Sequence, residues 1–359
     1  MEPHSCQFVF KGPKQNYFPL RSPQQGVSPV VEVNAVLAMV VRCGSSQSIA
    51  MASKKEDNSD ICHKCPVETW PDKRKFICNP KTYDYLSYET NIIALAFYFI
   101  SILCSVETLS ILTLFIIFRD TPIVKANNRT VSFILLTSIL LSFLCVFLFL
   151  GHPVDITCML RQISFGIFFS IAVSSVLAKT ITVCIAFNAS KPGSYWRKWV
   201  GEKTSNTVVI ICSSVQVVIC VIWLSVSPPY QEYDMDSYPG KIIIQCNEGS
   251  VIGFYFVLGY MGFLAAVSFV LAFMVRTLPD SFNEAKYITF SMLVFCSVWI
   301  AMIPAYLSTR GKYMVAVEVF AILASSVGLL GCIFVPKCYI IIMQPQRNTR
   351  KIFFDKVKS

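Results

Sequence analysis

The sequence predicts an all-α membrane protein, a bundle of seven transmembrane helices. Three observations predict it. Seven apolar runs fill the chain from about Asn91 to Ile341, each close to the ~20 residues that cross a bilayer at ~1.5 Å rise per residue. The chain of 359 residues is 54% hydrophobic and only 14% charged, whereas a soluble domain carries about 25% charged residues. Phe alone supplies 28 residues, more than a buried core demands and in keeping with a lipid-facing surface.

In chain order the spans are expected at Ile92–Phe118, Val131–Leu150, Ile163–Phe187, Thr207–Val226, Val251–Val275, Tyr287–Leu307 and Tyr313–Val335. Gly151, Gly249, Gly253, Gly259 and Gly262 let neighbouring helices approach closely. Pro304 is expected to kink the sixth span beside Trp299, and Pro336 to end the seventh. An odd number of spans puts the two chain ends on opposite sides of the membrane. Alternate loops and the C-terminal tail hold fifteen basic residues, among them Arg119, Lys125, Lys191, Arg197, Lys198, Arg347 and Lys351. The opposite loops hold only Arg161, Lys241, Arg310 and Lys312. The positive-inside rule therefore predicts a multi-pass plasma-membrane protein with an extracellular N-terminus and a cytosolic C-terminus. The formal net charge of +10 marks topology rather than nucleic-acid binding, with a secondary role against membrane lipid or a cytosolic partner. Matching interrupted helices in two halves are absent, which argues against a transporter.

Outside the spans, residues 1–61 read as a poorly defined or disordered segment. Their one weakly apolar stretch, Val30–Val41, is too short to span and starts too late for a signal peptide. Residues 62–90 form an external cysteine-bearing segment, 91–340 the seven-helix domain and 341–359 a cytosolic tail. Cys62 and Cys65 make a CxxC, but adjacent Cys62 and His63 suit no single tetrahedral zinc site, so disulfides are expected and no metal or cofactor. Cys158 and Cys246 both face the oxidising side, where a disulfide between them can form. Cysteines inside the apolar runs act as small hydrophobes.

Charged residues inside a span are costly and usually functional. Lys179 in the third span and Glu284 at the start of the sixth sit at similar depth near the cytosolic face. They form a candidate latch between two helices. The alternative has Lys179 snorkelling to headgroups and Glu284 capping its helix. Toward the opposite face, Glu318 shares the bundle with Arg161, Gln162, Phe165, Trp299 and Tyr306. A few polar groups among aromatics at a bundle mouth make a candidate pocket. A satisfied structural network, with Arg161 paired to Glu318, is the other reading. Glu107, in the first span, has no evident partner.

Several long stretches resemble one family. They are Arg119-Asp-Thr-Pro-Ile-Val-Lys-Ala-Asn-Asn-Arg129, Leu160-Arg-Gln with Phe165-Gly166, Ser174-Ser-Val-Leu-Ala-Lys-Thr180, Lys191-Pro-Gly193 with Arg197-Lys-Trp-Val-Gly201, Cys246-Asn-Glu-Gly-Ser250, Leu278-Pro-Asp-Ser-Phe-Asn-Glu-Ala-Lys286, Pro304-Ala-Tyr-Leu-Ser-Thr-Arg-Gly-Lys-Tyr313 and Pro336-Lys-Cys-Tyr339. From about Cys62 to Arg350 the chain resembles the class C G-protein-coupled receptors, most closely the vomeronasal type-2 group and next the calcium-sensing receptor.

The resemblance implies a dimeric pheromone or chemosensory receptor, not an enzyme, that signals to a heterotrimeric G protein. Its ligand would be a small molecule or peptide. It implies that Lys179 and Glu284 match a cytosolic ionic lock, and that Cys158 pairs with Cys246 and Cys65 with Cys78. Arg161, Gln162, Phe165, Trp299, Tyr306 and Glu318 match positions lining a transmembrane modulator pocket. Arg197, Lys198, Phe282 and Asn283 fall in the loops that would meet the G protein, and Lys337 matches the lysine of a Pro-Lys-x-Tyr motif. Relatives carry a large external flytrap domain, and the ~90 residues before the first span are too few for one. A truncated partner subunit of full-length receptors is therefore the alternative function, with a transporter third.

Overall fold

The computed structural model describes residues 65–71, 78–89, 91–126, 128–189, 195, 201–235, 238–276 and 283–344. The chain divides into two compact units, Met1–Asp84 with Asp234–Ile243, and Tyr85–Tyr233 with Ile244–Ser359.

In the first unit, β1 (Thr69–Pro71) pairs antiparallel with β2 (Cys78–Pro80), Trp70 opposite Asn79. The Cys65–Cys78 disulfide closes this hairpin, with the two Cα atoms 5.9 Å apart. β3 (Thr82–Asp84) runs parallel to the first residues of β5 (Lys241–Asn247), and Lys241 Nζ meets Asp84 Oδ2 at 3.0 Å.

The second unit is helical: α1 (Ile92–Ile117), the short α2 (Pro122–Ala126), α3 (Arg129–Phe149), α4 (Asp155–Ala189), α5 (Glu202–Val226), α6 (Val251–Val275), α7 (Asn283–Ser308) and α8 (Lys312–Met343). Among the described residues, seven of these helices are long and apolar enough to cross a membrane, all but α2. β4 (Tyr230–Asp234) lies between α5 and α6 and pairs with β5. Asp155, in the first turn of α4, accepts a 2.8 Å hydrogen bond from the Gln231 backbone N–H. The Cys158–Cys246 disulfide ties α4 to β5, Cα atoms 5.5 Å apart. The bundle thus has a disulfide end, where α1, α4, α6 and α8 begin, and an opposite end.

Lipid tails are as apolar as Leu, so the helices gain little by hiding apolar surface from one another and rely on close packing and polar contacts. Ser101 Oγ donates to the Phe143 carbonyl at 2.6 Å, joining α1 to α3. Thr182 and Ser205 hydroxyls meet at 2.6 Å between α4 and α5. Tyr260 OH reaches the Cys212 carbonyl at 3.0 Å, and Thr289 Oγ1 the Ala272 carbonyl at 2.9 Å. A Cβ on Gly166 would stand 2.9 Å from Val257 Cγ1, so only glycine allows α4 and α6 this approach. The core between these contacts is aromatic and aliphatic, with Phe115, Leu135, Phe143, Phe169, Phe295 and Phe334 all fully buried.

The boundaries differ most from the sequence expectation at α4 and α8, while α5 and α7 begin earlier than expected, at Glu202 and Asn283. α4 starts at Asp155 rather than near Ile163, so Cys158, Arg161 and Gln162 are helical. Hydropathy drops there because these side chains are polar, yet they turn into the bundle and are buried. The expectation that Pro336 ends the last span is corrected: α8 continues through it to Met343. Proline removes one backbone donor, which membrane helices tolerate when neighbours hold the chain. Here Phe334 packs on Phe115, ring centroids 5.5 Å apart, and Lys337 is paired to α7, so both sides of the proline are pinned.

Candidate functional site

Three charged side chains meet at the end of the bundle opposite the disulfide. Glu284 lies in the first turn of α7, where the helix N-terminus favours a carboxylate. Its Oε1 accepts a 2.7 Å hydrogen bond from Lys337 Nζ of α8. Lys179 Nζ of α4 stands 3.7 Å from the same oxygen and also donates to Ser132 Oγ of α3 at 2.8 Å. The first contact is a charge-assisted hydrogen bond, and the second is an ion pair at the edge of contact. Lys179 is 2% exposed, so it does not snorkel outward, and Glu284 keeps 24% of its side chain open. One carboxylate thus binds α7 to α8 directly and to α4 more loosely, while Lys179 also fastens α4 to α3.

At the disulfide end, Gln162, Phe165, Trp299 and Glu318 line one cavity with Phe149 and Met302. Phe165 and Trp299 lie 5.4 Å apart between ring centroids, and Phe169 lies 5.8 Å from Trp299. The rings leave about 10 Å³ of water-sized space, room for about one water molecule. Trp299 Nε1 and Glu318 Oε2 are buried there without a hydrogen-bond partner, as is Arg161 Nε nearby. Such atoms call for a water or a ligand group. Arg161 is buried with its guanidinium 5.3 Å from the Phe149 ring, and among the described residues no ion pair joins it to Glu318. Tyr306 is turned to the rim, where its hydroxyl donates to Glu248 Oε1 at 2.8 Å. The Glu248 carbonyl accepts from Trp223 Nε1 at 3.2 Å, so Glu248 is bonded to both α5 and α7.

Two of these groups escaped the sequence reading. From sequence, Lys337 reads as the lysine of the Pro-Lys-x-Tyr motif, with no sign of its pairing to Glu284. Glu248 sits in a loop with no hydropathy signal. Of the expected G-protein contacts, Arg197, Lys198 and Phe282 lie outside the described residues, and Asn283 opens α7. Residues 1–61 and Cys62 also lie outside them. Glu107 stands exposed on α1.

Among the described residues, seven helices long and apolar enough to cross a membrane, tied by a disulfide at one end and by an ion cluster at the other, define a multi-pass membrane bundle. Residues 87–337 match the family described as "7 transmembrane sweet-taste receptor of 3 GCPR". The chain belongs to that family, the class C G-protein-coupled receptors, which are receptors and not enzymes. It is 53% identical over 297 residues to vomeronasal type-2 receptor 26 of Mus musculus, covering 82% of this chain and 34% of that one. It is 47% identical over 304 residues to vomeronasal type-2 receptor 116 of Mus musculus, covering 85% and 35%. The extracellular calcium-sensing receptor of Homo sapiens is 47% identical over 272 residues, covering 76% of this chain and 25% of that one. The chain therefore spans about a third of the length of the vomeronasal relatives it matches.

Proposed function

We propose that this chain is the transmembrane transducer of a chemosensory or pheromone receptor of the vomeronasal type, coupling an external signal to a heterotrimeric G protein. The disulfide end faces outside and the Glu284 end faces the cytosol, as the distribution of basic residues supports. The segment between α4 and α5, with Arg197 and Lys198, and the residues at the entry to α7, Phe282 and Asn283, meet the G protein. The receptor works as a dimer in the plasma membrane.

The observation that carries the reading is the Glu284 cluster. One carboxylate, 2.7 Å from Lys337 and 3.7 Å from Lys179, holds the start of α7 against α8 and α4. A bundle locked at one point has two packings available, and release of α7 is the step that opens a surface for the G protein. At the other end, a modulator has to displace Trp299, because the closed cavity holds only a water. An apolar molecule with a hydrogen-bond donor for Glu318 suits that site.

The test is guanine-nucleotide exchange on a heterotrimeric G protein by the purified chain in lipid vesicles. Glu284→Gln is expected to raise basal exchange above the wild type. Exchange that is measurable but identical in the two would remove the latch. No exchange in either, with exchange restored beside a full-length relative, would favour a partner subunit.

A further inference from the structure

Glu107 has no role in either cluster, and its position is hard to leave unexplained. It lies 15 residues after Ile92 and 10 before Ile117, about 22 Å and 15 Å from the ends of α1 at 1.5 Å per residue. That is inside the hydrocarbon layer of ~30 Å. The side chain is exposed on the outer face of the bundle. Among the described residues its carboxylate makes no hydrogen bond or ion pair. A carboxylate facing lipid tails at this depth is strongly disfavoured, and such groups almost always pair with something.

Glu107 also sits in a built recess. Together with Ser110 and Leu114 of α1 and Val335, Tyr339 and Ile342 of α8, it lines a groove of about 580 Å³. Apart from the acid, Ser110 and the Tyr339 hydroxyl, the lining is apolar. A lipid headgroup would have to sink about 10 Å below the edge of the ~30 Å layer to reach it, since the 26 residues of α1 overhang that layer by about 4 Å at each end. A second copy of this chain offers little. The basic side chains within its described spans, Arg161, Lys179 and Lys337, are buried inside the bundle. The others in these helices, Arg129, Lys203, Lys286 and Lys312, stand at helix starts. Two copies facing each other here would bring like charges together, with only Tyr339 and Ser110 to help. Ser110 Oγ already donates to the Val106 carbonyl at 2.8 Å. What the groove lacks is a cation at mid-membrane.

We propose that the groove between α1 and α8 is the docking site for a membrane-spanning helix of a different chain, one that carries a lysine or arginine at the depth of Glu107. The apolar walls take the neighbouring side chains and the stem of the basic residue. The carboxylate fixes the depth and identity of the partner. Removing the acid would make the groove an ordinary lipid-facing surface.

The full chain, labelled with a donor dye in phosphatidylcholine vesicles, tests this against synthetic Leu–Ala transmembrane helices bearing an acceptor. One helix carries a single Lys at the depth of Glu107, one Leu, one Glu. Energy transfer is expected to saturate at about ten-fold lower density of the Lys helix than of the Leu helix, the size of a mid-membrane polar pair. Glu107→Gln should erase that difference, and Glu107→Lys should transfer the preference to the Glu helix. Leu114→Trp, which fills the groove but keeps the acid, should weaken the Lys helix as well. Equal transfer from Lys and Leu helices on the wild type, or a Lys preference that survives Glu107→Gln, would overturn the proposal. So would chain-to-chain transfer that depends on Glu107 and is untouched by the Lys helix, since the occupant would then be a second copy.

Discussion

Replacing Lys337 by Met takes away the nearer of the two ammonium groups that face Glu284. Breaking a well-buried pair by deleting one partner costs about 3–5 kcal/mol. Two features of this cluster reduce that figure. Glu284 is about a quarter exposed, at 24%, and Lys179 remains 3.7 Å away to take up part of the charge. A loss of about 2 kcal/mol follows, if the contact exists only in the resting packing, and that is about 30-fold in the equilibrium between the two packings. A receptor active about 1% of the time at rest would then be active about a quarter of the time. Lys179→Met should do less, because it leaves the 2.7 Å contact intact and takes from Glu284 the longer, 3.7 Å one. Glu284→Gln should do most, because it takes the partner from both lysines. Basal nucleotide exchange on the G protein, normalised to the amount of folded chain, reads all three. The expected order is Glu284→Gln, then Lys337→Met, then Lys179→Met. Lys179→Met exceeding Lys337→Met would refute the assignment of Lys337 as the principal partner.

Other perturbations follow from the same geometry. Cys158→Ser should cost about 2–4 kcal/mol by opening an 88-residue loop. Cys246→Ser should match it in melting temperature and surface expression, and the double variant should be no worse. Tyr306→Phe removes the 2.8 Å bond to Glu248 and should lower stability by about 1–3 kcal/mol, read as a drop in melting temperature. Trp299→Ala should open a space on the order of 150 Å³ beside the existing cavity, enough for benzene. Benzene should then raise the melting temperature of Trp299→Ala and leave the wild type unchanged.

The fold was legible because crossing a membrane imposes a length and a composition that few other segments meet. Each span was found from apolar residues alone. The errors fell where a helix is held by something other than hydropathy. Arg161 and Gln162 are polar, so the start of α4 looked like loop, although both face the protein interior. Pro336 looked like a stop because the contacts that carry α8 past it, Phe334 on Phe115 and Lys337 on Glu284, come from α1 and α7. The charged cluster was half legible. Lys179 and Glu284 could be matched by depth along two spans, but Lys337 is 53 residues from Glu284 in sequence, and depth alone does not rank two lysines. The pocket residues Gln162, Phe165, Trp299 and Glu318 do share a cavity. Its closure by aromatic rings depends on rotamers, and the bonds of Glu248 to Tyr306 and Trp223 depend on a loop path, which no periodicity encodes.

The central claim is that Glu284 and Lys337 act as one contact that holds the resting bundle. A double-mutant cycle on basal nucleotide exchange tests it most directly. The account predicts that Glu284→Gln combined with Lys337→Met raises exchange no further than Glu284→Gln alone, because the second change removes a partner already lost. Effects of the two substitutions that simply multiply would contradict it, since each side chain would then act through a separate interaction.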